Sequence, residues 1–273
     1  MKRIIYDIGS NNGDDIPYYL KKADLVVAVE ANPVLCAQIR KRFNSEINLN
    51  KLIIENSVLV ANQHTPKKVD FFIHIKEDVL SQFLPPQNLD LFNKVSLPAI
   101  SVQDLVKKYG EPYYIKIDVE HYDEMILNAF FENDIRPPYI SSESHSIKIF
   151  TLLVAKGGYQ AFKLVDGESV AIKYNKHNIV SNNTKVEYSF PRHSAGPFGD
   201  DIPGGWMNAD NFFKLLAFEG LGWKDIHATS LHMSNPLVTV RIDPYLNRLL
   251  VNKLKAIIPS WLKNTIKFFI IRK

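Results

Sequence analysis

The sequence predicts an α/β fold with a mostly parallel sheet and helices on both faces. Three observations lead there. Short β-branched runs alternate with stretches of helical periodicity through the first half of the chain, as expected of crossover-connected parallel strands. Two of the apolar runs end in a carboxylate, Asp7 and Glu30. A bend carrying Gly9 and Gly13 follows the first run and opens a helix.

Taken in order, Ile4–Ile8 is a β-branched strand, and 13–22 reads as a helix with aspartates in its first turn, favourable at the positive end of its dipole. Leu25–Glu30 is the second strand. In 33–43, Leu35, Ile39 and Phe43 recur every four residues on one helical face, and Pro33 suits the first turn. Strands follow at 52–55 and 69–75. The stretch 77–97 is less regular, since Pro85 and Pro86 forbid a continuous helix. A helix at 102–109, a buried strand at 113–119, a helix at 121–131, a strand at 139–142 and a helix at 146–156 continue the alternation. Gly157 and Gly158 end that last helix. Residues 159–164 and 170–174 read as a hairpin around Asp166 and Gly167, the antiparallel close of the sheet. From 175 to 205 periodicity fades, and the turn-rich HSAGPFGDDIPGGW (193–206) reads as a lid over a site. Residues 209–219 are helical again.

The 273 residues are 46% apolar and 23% charged, an ordinary globular composition with ample material for a core. The formal net charge of +4 is too mild to imply nucleic acid. No acidic residue follows Asp243, whereas seven Lys and Arg do; set aside, they leave a body of charge −3. The single cysteine, Cys36, falls inside a helix as a small packed side chain and fits a reducing compartment. A strand starting at Ile4 leaves no room for a signal peptide, and no apolar run reaches the ~18–20 residues that span a bilayer. The expectation is a cytoplasmic protein.

The bend YDIGSNNGDD carries the chemistry. A dinucleotide site prefers G-x-G-x-x-G, whose middle glycine lets the backbone approach a pyrophosphate. Here the spacing is G-x-x-x-G, which suits a ligand without a pyrophosphate. Glu30 follows Gly9 by 21 residues, one strand–helix–strand unit, and a carboxylate there accepts from the two hydroxyls of a ribose. An NAD-dependent oxidoreductase would use Glu30 equally, but the absent glycine argues against it.

DIGSNNG, EANP and IKIDVEH together resemble the FkbM-type methyltransferases, over residues 4–145. The resemblance implies a class I, Rossmann-like, seven-stranded domain over 1–175, with S-adenosyl-L-methionine as cofactor. It further implies methyl transfer to oxygen on sugars, polyketides or other secondary metabolites. By the same resemblance Asp7, Gly9, Asn11, Gly13 and Glu30 hold the cofactor, with Asn32 nearby, Asn56 toward the adenine and Asp118 at the next strand end. His121 stands where the family has glycine.

An alcohol acceptor needs a base or a metal to remove its proton. Asp118 and Glu120 end one central strand, and Glu143 and His145 end the next, so their side chains converge at the carboxyl edge of the sheet. His145 is the first expectation for the general base, followed by Asp118 and His121. Asp118, Glu143 and His145 could instead hold a divalent cation. Glu143 or His145 capping the helix that follows is the purely structural alternative. For the acceptor, Glu143, His193, Trp206 and His227 are candidates, Trp206 because an indole beside acids suits a sugar. The expected reaction is O-methylation of a sugar, a sugar nucleotide or a surface glycan. Base methylation of nucleic acid lacks its N-P-P-Y-type tetrapeptide, and a non-catalytic binding module would not need the intact bend.

Residues 176–245 are expected to build the acceptor site and lid. In 246–273 leucines and isoleucines at spacings of three and four oppose the seven basic residues, interrupted by Pro259. Such a stripe lies in an anionic membrane interface or packs on its own domain, so peripheral contact at the inner face of a membrane is a second expectation.

Overall fold

The computed structural model describes residues 2–62, 64–181 and 183–234. The basic tail, 246–273, lies outside the described residues. Strand β1 (Ile4–Ile8) leads through the short helix α1 (Ile16–Tyr19) to β2 (Leu25–Val29). Helices α2 (Pro33–Arg42) and α3 (Asn44–Asn48) precede β3 (Leu52–Glu55). Strands β4 (Val58–Val60), β5 (Lys68–His74) and β6 (Phe92–Ser101) form a small separate sheet in the order β4-β6-β5. Alternation resumes with α4 (Val102–Tyr109), β7 (Tyr114–Ile117), α5 (Asp123–Glu132), β8 (Tyr139–Ser144), α6 (Ile147–Ala155) and β9 (Ala161–Asp166). Then come α7 (Val170–Lys173), the hairpin β10 (His177–Ser181) and β11 (Thr184–Tyr188), α8 (Ala209–Glu219) and β12 (Gly222–Thr229).

The main sheet has seven strands in the order β3-β2-β1-β7-β8-β12-β9. Strands β3, β2, β1, β7 and β8 pair in parallel, while β12 runs antiparallel to both β8 and β9. The order reverses between β1 and β7, and ligands of open α/β sheets bind at that reversal, beyond the carboxyl ends of the strands. Every residue of β1 and β2 is buried, so side chains alternate between two covered faces. Tyr6 and Ile8 join Ile115, Ile126, Phe130, Phe162 and Phe212 on one face, whereas Ile5 joins Tyr19, Tyr114, Val165 and Phe198 on the other. Asn32, Ser101, Ser146 and Asn208 cap α2, α4, α6 and α8 by accepting from first-turn amides. Among the described residues no helix is long and apolar enough to cross a membrane.

Three expectations are corrected. The helix read over 13–22 shrinks to one turn, because both aspartates are engaged elsewhere. Asp14 accepts from Asn12 and Arg42, and Asp15 accepts from Ser194 and Ala195. The hairpin around Gly167 does not exist: Val170–Lys173 is helical, and β12, distant in sequence, supplies the antiparallel strand. Residues 194–199 and 201–202, within the segment read as a lid, are buried. Phe198 stacks on Tyr114 with centroids 3.9 Å apart, and Asp201 accepts from Tyr18 and Lys22, both at 2.8 Å. Gly196, Pro197 and Gly199 serve a tight buried path, while Pro203, Gly204 and Gly205 stay exposed.

Candidate active site

A cavity of about 370 Å³ runs along the carboxyl edge of the main sheet, from the small sheet to the start of β12. Of the residues expected at the site, Gly9, Asn11, Glu30, Asp118, Glu143 and His193 line it.

The bend after β1 forms its floor. Gly9 has φ +79°, the left-handed region, and a Cβ there would stand 1.8 Å from the Asp118 carbonyl oxygen. Only glycine allows the ends of β1 and β7 to touch in this way. Glu30, at the end of β2, accepts from the Asn11 amide at 2.8 Å and the Asn32 amide at 2.7 Å. Each carboxylate oxygen keeps a free lone pair, and burial pushes the Glu30 carboxyl up to about 7 against those two donors. Asn32, Gly13 and Asn56 lie outside the lining. Asn32 caps α2, Gly13 packs against Ile16, Ile39 and Phe43, and Asn56 donates to the carbonyls of Glu30 and Ala31. Asn32 and Asn56 shape the Glu30 loop from behind.

Asp7 is fully buried beneath the bend, and among the described residues neither carboxylate oxygen has a hydrogen-bond partner. Burial pushes it up to about 7, opposed by Lys116 at 3.9 Å. The Lys116 ammonium, itself buried, lies 2.9 Å from Asp118 and donates to the Gly9 carbonyl at 3.3 Å. Burial would lower it, but Asp118, Asp7 and Asp15 outweigh that and hold it well above its ordinary value. Sequence reasoning named Lys116 only within the IKIDVEH motif, because the acids that surround it, Asp7 and Asp15, come from a distant part of the chain.

Beyond β7 lies a group of acids and imidazoles. Glu120 lines the cavity, and burial pushes its carboxyl up to about 7, with His145 opposing and Asp118 and Glu143 adding. Glu143 and His145 form an ion pair at 3.0 Å. That bond, more than any other influence, lifts His145 to about 9, and burial raises Glu143. Helix α6 is capped by Ser146, so neither residue serves as its cap. His145 does not reach the cavity lining itself. The exposed His121 ring stands 6.4 Å from that of His145, and its nitrogen 3.9 Å from Glu120. Its φ of +60° shows why glycine suits this position. Asp118, Glu143 and His145 are not gathered into a cation cage: Asp118 turns to Lys116 and Glu143 to His145. Among the described residues no group of three or more His, Cys, Asp or Glu is placed to hold a metal ion.

Two acceptor candidates lie away from the cavity. Trp206 is buried over the Lys163 ammonium and stacks with His232. His227 sits mid-strand in β12, fully enclosed, and burial lowers its imidazole to about 3. The lining instead includes Trp223 and, from the connection between β5 and β6, Asp78, Val79, Ser81, Gln82 and Phe83. The length of that irregular connection was the available sequence signal.

Seven acids line the cavity, Asp14, Asp15, Glu30, Asp78, Asp118, Glu120 and Glu143; Asp14 pairs with Arg42, Asp118 with Lys116 and Glu143 with His145. Such a lining offers more acceptors than cations, which suits a ligand bearing hydroxyls or an ammonium group better than a pyrophosphate.

The family described as "Methyltransferase FkbM domain" matches residues 7–157, more than half of the chain. Among solved structures, one titled "Structure of an antibiotic related Methyltransferase" is 12% identical, with a TM-score of 0.35, over 84% of this chain and 87% of that one. Another, "StiE O-MT residues 961-1257", is 8% identical, with a TM-score of 0.34, over 90% and 72%. No curated protein matches the sequence. Matched by that family model from Asp7 to Gly157, the chain belongs to the FkbM methyltransferase family and is a methyltransferase.

Proposed function

We propose that this methyltransferase transfers a methyl group from S-adenosylmethionine to a hydroxyl of a sugar or glycan. The observation that carries the reading is one continuous cavity, joining the Glu30 loop to the acid–imidazole group at the ends of β7 and β8.

The residues fit the cofactor. Gly9 and Asn11 line the cavity beside Glu30, and the free lone pairs of Glu30 suit two vicinal hydroxyls. The excess of carboxylates suits a ligand bearing sulfonium and ammonium charges. Glu30, Asn11 and Gly9 would hold it. When bound, S-adenosylmethionine supplies a methyl group electrophilic enough for direct in-line displacement.

The chain then has to orient a hydroxyl and take its proton. Glu120 is suited to that proton: it faces the cavity, and its carboxyl near 7 is matched to neutral conditions. His145, expected from sequence as the base, carries its own proton at neutral pH through the bond to Glu143. Its cationic ring favours the ionised form of Glu120. The acidic lining disfavours a sugar nucleotide and NAD alike, since both carry a pyrophosphate. A neutral sugar or glycan hydroxyl remains the best match.

The test is incorporation of tritiated methyl from labelled cofactor into methyl glycosides and neutral oligosaccharides. An alkali-stable, Glu120-dependent product supports the reading. Label found only on amines, carboxylates or nucleotides refutes it.

A further inference from the structure

We propose that Trp223 and His193 form an aromatic subsite that binds a pyranose ring of the acceptor, an inference that rests on the sugar reading above. Both side chains line the cavity that Glu120 and Glu143 share. Their rings lie within 19° of parallel, with centroids 6.2 Å apart, an offset pair at the cavity mouth. Trp223 is 39% exposed, which leaves part of a large apolar surface open at a site otherwise rich in carboxylates.

The fold sets this indole deliberately out of the sheet pattern. Gly222 pairs with Ser144 and Asp225 with Glu143, so Trp223 and Lys224 stand between partners that are adjacent on β8. Such a bulge bends the strand and re-aims a side chain. The indole packs on Gly167, where a Cβ would stand 2.5 Å from its ring nitrogen. Any larger residue at 167 would push the ring off its seat.

Position in the sheet separates this subsite from the cofactor. Glu30 ends β2 and Trp223 begins β12, four strand steps along the edge or about 19 Å at the ordinary strand spacing. A sugar presents axial C–H bonds to an aromatic face and hydroxyls to carboxylates. The combination of Trp223 with Glu143 and Glu120 offers both. The only Lys or Arg among the described lining residues, Lys116, is already paired with Asp118, which favours an uncharged sugar over a nucleotide-linked one.

The test uses the full chain saturated with S-adenosylhomocysteine, its binding verified by calorimetry. Saturation-transfer NMR is then read on methyl glycosides of glucose, galactose, mannose and rhamnose, and on UDP-glucose. Transfer to the ring C–H protons of at least one methyl glycoside is expected. Trp223→Ala should weaken that binding by about tenfold, the scale of one aromatic contact. Trp223→Phe should retain most of it, and Gly167→Ala should weaken it without removing the indole. Cofactor-product affinity should be unchanged in all three. Glycoside signals equal in wild type and Trp223→Ala would overturn the subsite while leaving the sugar reading intact. No signal from any glycoside, with the cofactor product bound, would overturn both. Preferential binding of UDP-glucose through its nucleotide would overturn the choice of an uncharged sugar.

Discussion

Gly9 and Asp118 meet backbone to backbone, with space for a hydrogen but none for a methyl group. This contact fastens the end of β1 to the end of β7 at the point where strand order reverses. Gly9→Ala should therefore damage both stability and binding. The left-handed φ alone costs an alanine about 1–2 kcal/mol, and relief of the clash must part the two strands. A lowered unfolding midpoint together with loss of S-adenosylhomocysteine binding in calorimetry is expected.

With Glu30 receiving the cofactor ribose as proposed, its carboxyl, raised by burial to about 7, should make cofactor affinity depend on pH. Its ionised form is the better acceptor for ribose hydroxyls, so affinity should rise with pH through neutrality. Between pH 6 and pH 8 the ionised fraction grows about tenfold, and binding of S-adenosylhomocysteine should strengthen to match. Glu30→Gln should bind roughly 10- to 100-fold more weakly, the range of hydrogen bonds to a charged group, and should lose that pH dependence.

Turnover should show an ascending limb near pH 7, as Glu120 loses its proton and becomes able to accept one from the substrate. Glu120→Gln should lower kcat by about 10²–10⁴-fold with cofactor affinity retained. His145→Ala removes a cation that favours the Glu120 carboxylate, so the limb should move to higher pH. A limb near 9 in the wild type would return the role of base to His145.

Much of this site was legible because its parts are local. A strand, a bend with Gly9 and a second strand ending in Glu30 form one contiguous unit, and period and spacing read such units well. The residues that escaped depend on distant chain. Trp206 looked like the sugar-binding indole because it neighbours two aspartates in sequence, yet it packs over Lys163. Trp223 reaches the cavity only because β12 returns between β8 and β9 and bulges there. Likewise, segment 193–206 looked open because glycine and proline are common in loops, whereas its burial comes from Tyr18, Tyr114 and Asp15, over 70 residues away. Composition does not encode such pairings.

Lys116 balances buried acids, and its removal should be costly. Lys116→Met leaves Asp7, Asp15 and Asp118 without their cation, and breaking a buried pair in this way costs about 3–5 kcal/mol. Asp7 already has a folded-state pKa above its ordinary value, so its protonation favours the folded state. That contribution is complete below about 4 and is lost as pH rises through about 7. Without Lys116, Asp7 and Asp15 hold protons more tightly still. Urea denaturation should therefore show a larger deficit at pH 8 than at pH 6.

His121 offers the opposite case, a substitution that should stabilise. Its φ of +60° costs an ordinary side chain about 1–2 kcal/mol, whereas glycine adopts it freely. Glycine gives back about 0.5–1 kcal/mol through the greater freedom of the unfolded chain. The net gain for His121→Gly is about 1 kcal/mol or less, or a rise of no more than about 2–4 °C in Tm. The ring is largely exposed, 3.9 Å from Glu120, and is not among the influences that set the Glu120 carboxyl. The pH limb of turnover should therefore stay in place. A limb displaced in His121→Gly would show that the strained backbone is kept for the imidazole it carries toward Glu120.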